Sequence, residues 1–202
     1  MSLFPMFLKL EGRGCLIVGA GNVALEKIIS LLGTGARLRV IAPVACEAVE
    51  QLAVHGKITL ELREFLETDL EGQSLVVTAT NSRAVNRQVF LAAQQRGLLC
   101  NSVDDPPNCD FYFPAIVRRG DLQVAISTAG ESPAFAQRLR GTFESAFDQH
   151  LGDWLGAIGQ IRREILASYP ASEARKRALH LLANGDPGES QQSANNTSGS
   201  TP

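Results

Sequence analysis

The chain has 202 residues, 45% of them hydrophobic and 20% charged, the proportions of an ordinary globular protein with room for one substantial domain and a small appendage. Its net charge of −2 provides no whole-molecule field for nucleic acid, so no nucleic-acid partner is expected, and an anionic ligand would need a local basic patch. No apolar run approaches the roughly 20 residues of a membrane-spanning helix, the N-terminus lacks the basic flank of a signal peptide, and the four cysteines form no Cys-x-x-Cys pair. A soluble protein of a reducing cytoplasm, without membrane or disulfides, is the expectation.

Taken in chain order, Cys15–Gly19 (CLIVG) is a continuous apolar run ending in glycine, the pattern of a strand buried on both faces. Apolar residues at Val23, Ala24, Ile28, Leu31 and Leu32 then predict a helix over 22–32, stopped by Gly33 and Gly35. A strand at 37–41 is closed by Pro43, a helix follows around 47–54, and a weaker strand at 58–62. The strongest strand signal is 74–80 (SLVVTAT), leading into a helix over about 83–96 and a strand at 98–103. Strand and helix alternate at roughly 30 residues, the length of a βαβ unit, and imply a parallel sheet covered on both faces.

After Pro106-Pro107 the pattern changes. Phe111–Arg118 and Leu122–Ser127 are separated by a short Arg-Gly-Asp turn, which favours an antiparallel hairpin. Ser132-Pro133 opens a helix through Phe135, Leu139, Phe143 and Phe147, with a good N-cap followed by proline at the first helical position. Further helices are predicted over about 154–166 and 171–182, and from Gly185 the polar sequence predicts a disordered tail.

The segment Gly19-Ala20-Gly21-Asn22-Val23-Ala24 fits G-x-G-x-x-A, directly after a buried strand and at the start of a helix. The first glycine permits the tight turn, the second lets a diphosphate approach the backbone, and the helix N-terminus offers unpaired N–H groups. Gly19, Gly21, Asn22 and Val23 are therefore candidate dinucleotide contacts. The acidic residue that usually reads the ribose at the end of the second strand is absent: Ala42-Pro43-Val44 stands there, and Arg37 and Arg39 lie on the strand rather than past its end. Backbone groups at Pro43 and Val44 are the candidates for the adenosine ribose, and Thr80 and Asn81, ending the strongest strand, for the nicotinamide half.

Several short motifs together resemble the precorrin-2 dehydrogenase/sirohydrochlorin ferrochelatase family, which also forms the N-terminal part of sirohaem synthases. They are residues 4–10, 12–24 with Lys27, 35–43, 77–81 with Asn86, 100–106, 113–122, 125–134 and 149–152. The resemblance implies a Rossmann-type parallel sheet, then a small α+β dimerisation segment and a C-terminal helical region. The expected boundaries are 1–113, 114–148 and 149–184, with the tail at 185–202. It implies NAD as cofactor, precorrin-2 as substrate, sirohydrochlorin as product, a homodimer, and in some members Fe2+ as a second substrate inserted to give sirohaem.

By the same resemblance Asp104 aligns with the family's catalytic aspartate. It follows the strand ending at Val103, at the carboxyl edge of the sheet, where a carboxylate could take the proton that accompanies hydride loss. The alternative is a turn-forming Asp before Asp105-Pro106. Thr128 and Ser132, at the start of the Pro133 helix, are candidates for a substrate carboxylate, although the family often has Ser where Thr128 stands. Arg118 and Arg138, with Arg119 and Arg140, are candidate carboxylate partners, because Arg binds carboxylate bidentately. His150 is a candidate substrate contact, but the three histidines (55, 150, 180) do not cluster and no resident metal site is expected. A short-chain dehydrogenase would need Tyr-x-x-x-Lys, which neither Tyr112 nor Tyr169 provides. The alternative from another class is a non-catalytic NAD-sensing module.

Overall fold

In a computed structural model, which describes residues 3–185, β1 (Gly14–Val18) is buried at every position. That is why its sequence carries no polar alternation: both faces meet helices. Cys15 and Ile17 point into one core with Ala24, Ile28 and Leu31 of α1 (Asn22–Leu32) and Val49 of α2 (Glu47–Val54). Leu16 and Val18 point into the other with Val89, Ala92 and Ala93 of α3 (Arg83–Gln95). Each fully buried Leu or Ile here contributes about 1.5–3 kcal/mol from burial alone.

With β2 (Arg37–Ala42), β3 (Thr59–Leu62), β4 (Gln73–Thr78) and β5 (Leu99–Ser102), the strand order is β3-β2-β1-β4-β5, all parallel. The chain runs outward from β1 through β2 to β3, then crosses back to β4 on the other side. The direction reverses beside β1, and ligands of open α/β sheets bind at the carboxyl ends of strands at such a point.

The chain divides into two compact units, Met1–Phe113 and Pro114–Pro202. In the second, β6 (Ala115–Arg119) and β7 (Leu122–Ile126) form an antiparallel pair, followed by α4 (Pro133–Ala146), α5 (Leu151–Ser168) and α6 (Glu173–Ala183). The Arg119 guanidinium donates to the carbonyls of Glu144 at 2.7 Å and Phe147 at 2.9 Å, satisfying acceptors at the end of α4.

Of the boundaries that differ from the sequence reading, three have a clear physical reason. β4 stops at Thr78 rather than running to residue 80, because the Thr80 N–H and hydroxyl go to Asn86 instead of a neighbouring strand. β6 starts at Ala115 rather than Phe111: Phe111 and Phe113 pack against the first unit's core, and the Phe111 carbonyl accepts from Asn101. α5 starts at Leu151, before the predicted residue 154, with Gly152 against the β6–β7 turn. The tail expected at 185–202 lies, apart from Gly185, outside the described residues.

Candidate dinucleotide site

Beyond the tips of β3, β2, β1 and β4 in the first unit lies a cavity of about 680 Å³. Its floor is the turn after β1. Gly19 has a φ of +112°, its N–H donates to the Ile41 carbonyl at 2.8 Å, and a Cβ there would collide with the Ala79 carbonyl oxygen. Only glycine fits. Gly21, the N-cap of α1, is different: no side chain caps the first turn, and a Cβ would meet nothing within 4 Å. The turn is closed beneath Gly19 and open above Gly21. Unused first-turn N–H groups and the positive end of α1 thus face a space free of side chains, which fits a diphosphate.

The walls are tied to that floor. The Cys46 N–H donates to the Ala20 carbonyl at 2.9 Å and the Ala79 N–H to the Val18 carbonyl at 2.8 Å. On the β4 side, the buried Asn86 organises the loop before α3. Its Oδ1 accepts from the Thr78 hydroxyl at 2.6 Å, the Thr80 hydroxyl at 2.7 Å and the Thr80 N–H at 3.1 Å, while its Nδ2 donates to the Thr80 carbonyl at 3.0 Å. One side chain thereby fixes Thr80, and with it the Ala79–Ser82 stretch that lines the cavity.

Of the residues expected at the cofactor, Gly19, Gly21, Pro43, Val44, Thr80 and Asn81 line this cavity. Asn22 and Val23 lie in the exposed first turn of α1 and are not among its lining residues. Asp104 is not among them either. It stands exposed beyond β5 with a φ of +61°, a left-handed conformation that Asp and Asn tolerate better than most residues. Next to it, the Asp105 carboxylate accepts from Asn108 at 2.6 Å and acts as the turn residue.

In the second unit, Thr128 and Ser132 come together. The Ser132 N–H donates to the Thr128 hydroxyl oxygen at 3.2 Å, and the Ser132 hydroxyl oxygen accepts from the Phe135 N–H at 3.3 Å, capping α4. Arg118 is exposed on β6, and the Arg138 guanidinium sits 4.8 Å over the Phe135 ring. His150 is the exposed N-cap of α5, its Nδ1 3.9 Å from the Asp153 carboxylate. No group of three or more His, Cys, Asp or Glu residues positioned for a metal ion occurs among the described residues.

The sequence reading missed Glu64, Phe65, Cys46 and Gln88, which also line the cavity. Behind Glu64 is an ion-pair cluster. Arg39 donates to Glu61 at 2.6 Å and Asp69 at 3.0 Å, and Arg63 donates to Glu61 at 2.7 Å and Asp69 at 2.5 Å. Burial pushes the Asp69 carboxyl up, but Arg63, the Leu66 N–H and the charge of Arg39 together hold it below the usual carboxylate range. Glu61 is likewise lowered, chiefly by its hydrogen bond from Arg39.

A parallel sheet with an open glycine turn under a switch-point cavity defines a dinucleotide-binding α/β protein. Residues 6–115 match the family model described as putative NAD(P)-binding, and the chain belongs to that family. Residues 119–146 match the model described as sirohaem biosynthesis protein central. Among relatives, the siroheme synthase of Methylococcus capsulatus is 41% identical over 176 residues, covering 87% of this chain and 37% of the relative. Siroheme synthase 1 of Yersinia enterocolitica is 41% identical over 177 residues, covering 88% and 38%. The chain thus spans under two fifths of the length of these curated relatives. The solved structure of SirC, a precorrin-2 dehydrogenase, matches with a TM-score of 0.76 and 27% identity over 91% of this chain and 90% of that one. No described helix is long and apolar enough to cross a membrane.

Proposed function

We propose that this chain is an NAD-dependent dehydrogenase that oxidises precorrin-2 to sirohydrochlorin, working in the cytoplasm. The observation that carries the reading is the cradle at Gly19–Gly21, in a chain that a precorrin-2 dehydrogenase matches over nine tenths of both lengths. The reaction removes two hydrogens from the macrocycle, one as hydride and one as a proton. NAD+, when bound, supplies the hydride acceptor.

The protein's own residues do the rest. The backbone of Gly21, Asn22 and Val23 holds the diphosphate, Pro43 and Val44 border the adenosine ribose, and Thr80 and Asn81, fixed by Asn86, orient the nicotinamide half. Asp104 accepts the proton, its negative charge stabilising positive charge as it develops on the ring. Arg118 and Arg138 bind substrate carboxylates, with Thr128, Ser132 and His150 adding hydrogen bonds. Two copies form a homodimer through residues 114–148, and 149–184 form the C-terminal helical domain.

A second activity, insertion of Fe2+ into sirohydrochlorin, is favoured by the similarity to siroheme synthases. Anaerobic incubation with precorrin-2 and NAD+, followed by Fe2+, tests both. The sirohydrochlorin chromophore should grow only with NAD+, and then convert on Fe2+ addition faster than in a protein-free control. No NAD+-dependent growth sinks the dehydrogenase, and a second step at the control rate sinks the chelatase.

A further inference from the structure

The cavity's charge is one-sided. Of its lining residues, Glu64 alone among Asp, Glu, Lys and Arg carries a side-chain charge, and its carboxylate makes no ion pair or hydrogen bond among the described residues. It lies just past β3, which pairs with β2 so that Leu62 stands beside Ala42. It therefore borders the same flank as Ala42, Pro43 and Val44. With the diphosphate at the turn after β1, one nucleoside extends over the β4 tip and the other over β2 and β3. In this kind of fold the end of β2 is where the adenosine ribose is read. Here that end is Ala-Pro-Val, with no side-chain group for a ribose hydroxyl. The neighbouring strand brings an acceptor in its place.

The same flank has two guanidiniums that could hold a phosphate, and both are engaged. Arg39 and Arg63 each hydrogen-bond to Glu61 and Asp69, two positive charges against two negative. Arg63 also donates to the Glu64 carbonyl at 2.8 Å, which turns its guanidinium toward the cluster. A phosphate arriving at the adenosine ribose would meet a free carboxylate and no free cation among the cavity's lining residues.

We infer that Glu64 is a specificity-determining residue, selecting a dinucleotide whose adenosine ribose has free hydroxyls over one bearing a 2′-phosphate. This rests on the dinucleotide reading of the cavity and adds to it the residue that makes the choice. Attraction to the ribose is a charge-assisted hydrogen bond from an uncharged hydroxyl, whereas rejection of the phosphate is repulsion between two full charges at an exposed site. The second is the more strongly screened by salt.

The test is calorimetric titration of the full chain with NAD+ and with NADP+, at low and high ionic strength, for the unaltered protein, Glu64→Gln and Glu64→Lys. The unaltered chain should favour NAD+ by at least about tenfold at low salt, equivalent to about 1.4 kcal/mol, and by less at high salt. Glu64→Gln should remove most of that preference and its salt dependence, with NAD+ affinity kept within about threefold. Glu64→Lys should tilt the preference toward NADP+. An unchanged NAD+/NADP+ ratio in both variants overturns the assignment of Glu64 while leaving the dinucleotide site standing. Absence of NAD+ binding by the unaltered chain overturns both.

Discussion

Two glycines two residues apart do different work. Gly19 carries a left-handed backbone and lies against the Ala79 carbonyl, so Gly19→Ala should destabilise the fold by about 3 kcal/mol through overpacking and strain. Gly21 has a φ of −86° and open space where a Cβ would sit, so Gly21→Ala should leave the urea midpoint nearly unchanged. The new methyl group enters the diphosphate's approach, and the NAD+ Kd should rise by about tenfold or more. Equal effects of the two substitutions on stability would contradict this division. At Asp104, the paired substitutions Asn and Ala separate chemistry from backbone geometry. Asn tolerates the +61° φ and removes the charge. Asp104→Asn should therefore keep stability and NAD+ binding and lose about 10²-fold or more in turnover. Full turnover in Asp104→Asn would make the residue a turn former only.

At the scale of elements, the β4–α3 connection depends on one amide. Asn86→Ala would strand the Thr78 hydroxyl, which is fully buried, and release the N–H, hydroxyl and carbonyl of Thr80. A loss of about 2–3 kcal/mol in chemical denaturation is expected, with a weakened NAD+ Kd from the loosened loop. This loop also marks where sequence reasoning stops. The central strands β1 and β4 were legible because burial on both faces leaves continuous apolar runs such as CLIVG, and the glycine turn because its spacing is local. The end of β4 was not, since it is set by a side chain eight residues beyond Thr78. The start of β6 was misread because FYF has strand composition but spends its rings on the first unit's core. Gly152, inside α5, has a tertiary reason: a Cβ there would come within 2.7 Å of the Arg119 carbonyl carbon. Glu64 and Phe65 carry no local signature, and strand pairing alone delivers them to the cavity.

Across the whole molecule, acid sensitivity should follow the Arg39–Glu61–Arg63–Asp69 cluster. The folded Asp69 value lies below that of the unfolded chain, so its charged form stabilises fully above the unfolded value of about 3.9. That contribution is lost as pH falls through the lower folded value. Asp69→Asn should cost stability at pH 7 and much less at pH 3, read as urea midpoints; a constant difference would exclude the linkage. The cysteines should divide by environment. Burial pushes the Cys15 thiol up to about 11 and the Cys100 thiol up to about 12, so both should resist alkylation at pH 8 until the chain unfolds.

The contact between Gly19 and Ala79 constrains how the cavity can breathe. With the two backbones touching and the Ala79 N–H bonded to Val18, the β1 and β4 tips form one stiff jaw. A departing nucleotide cannot pry them apart without breaking the sheet's own ladder. Escape is then expected to begin on the opposite flank, over Pro43 and Val44, so mutations there should alter the off-rate before they alter the docked pose.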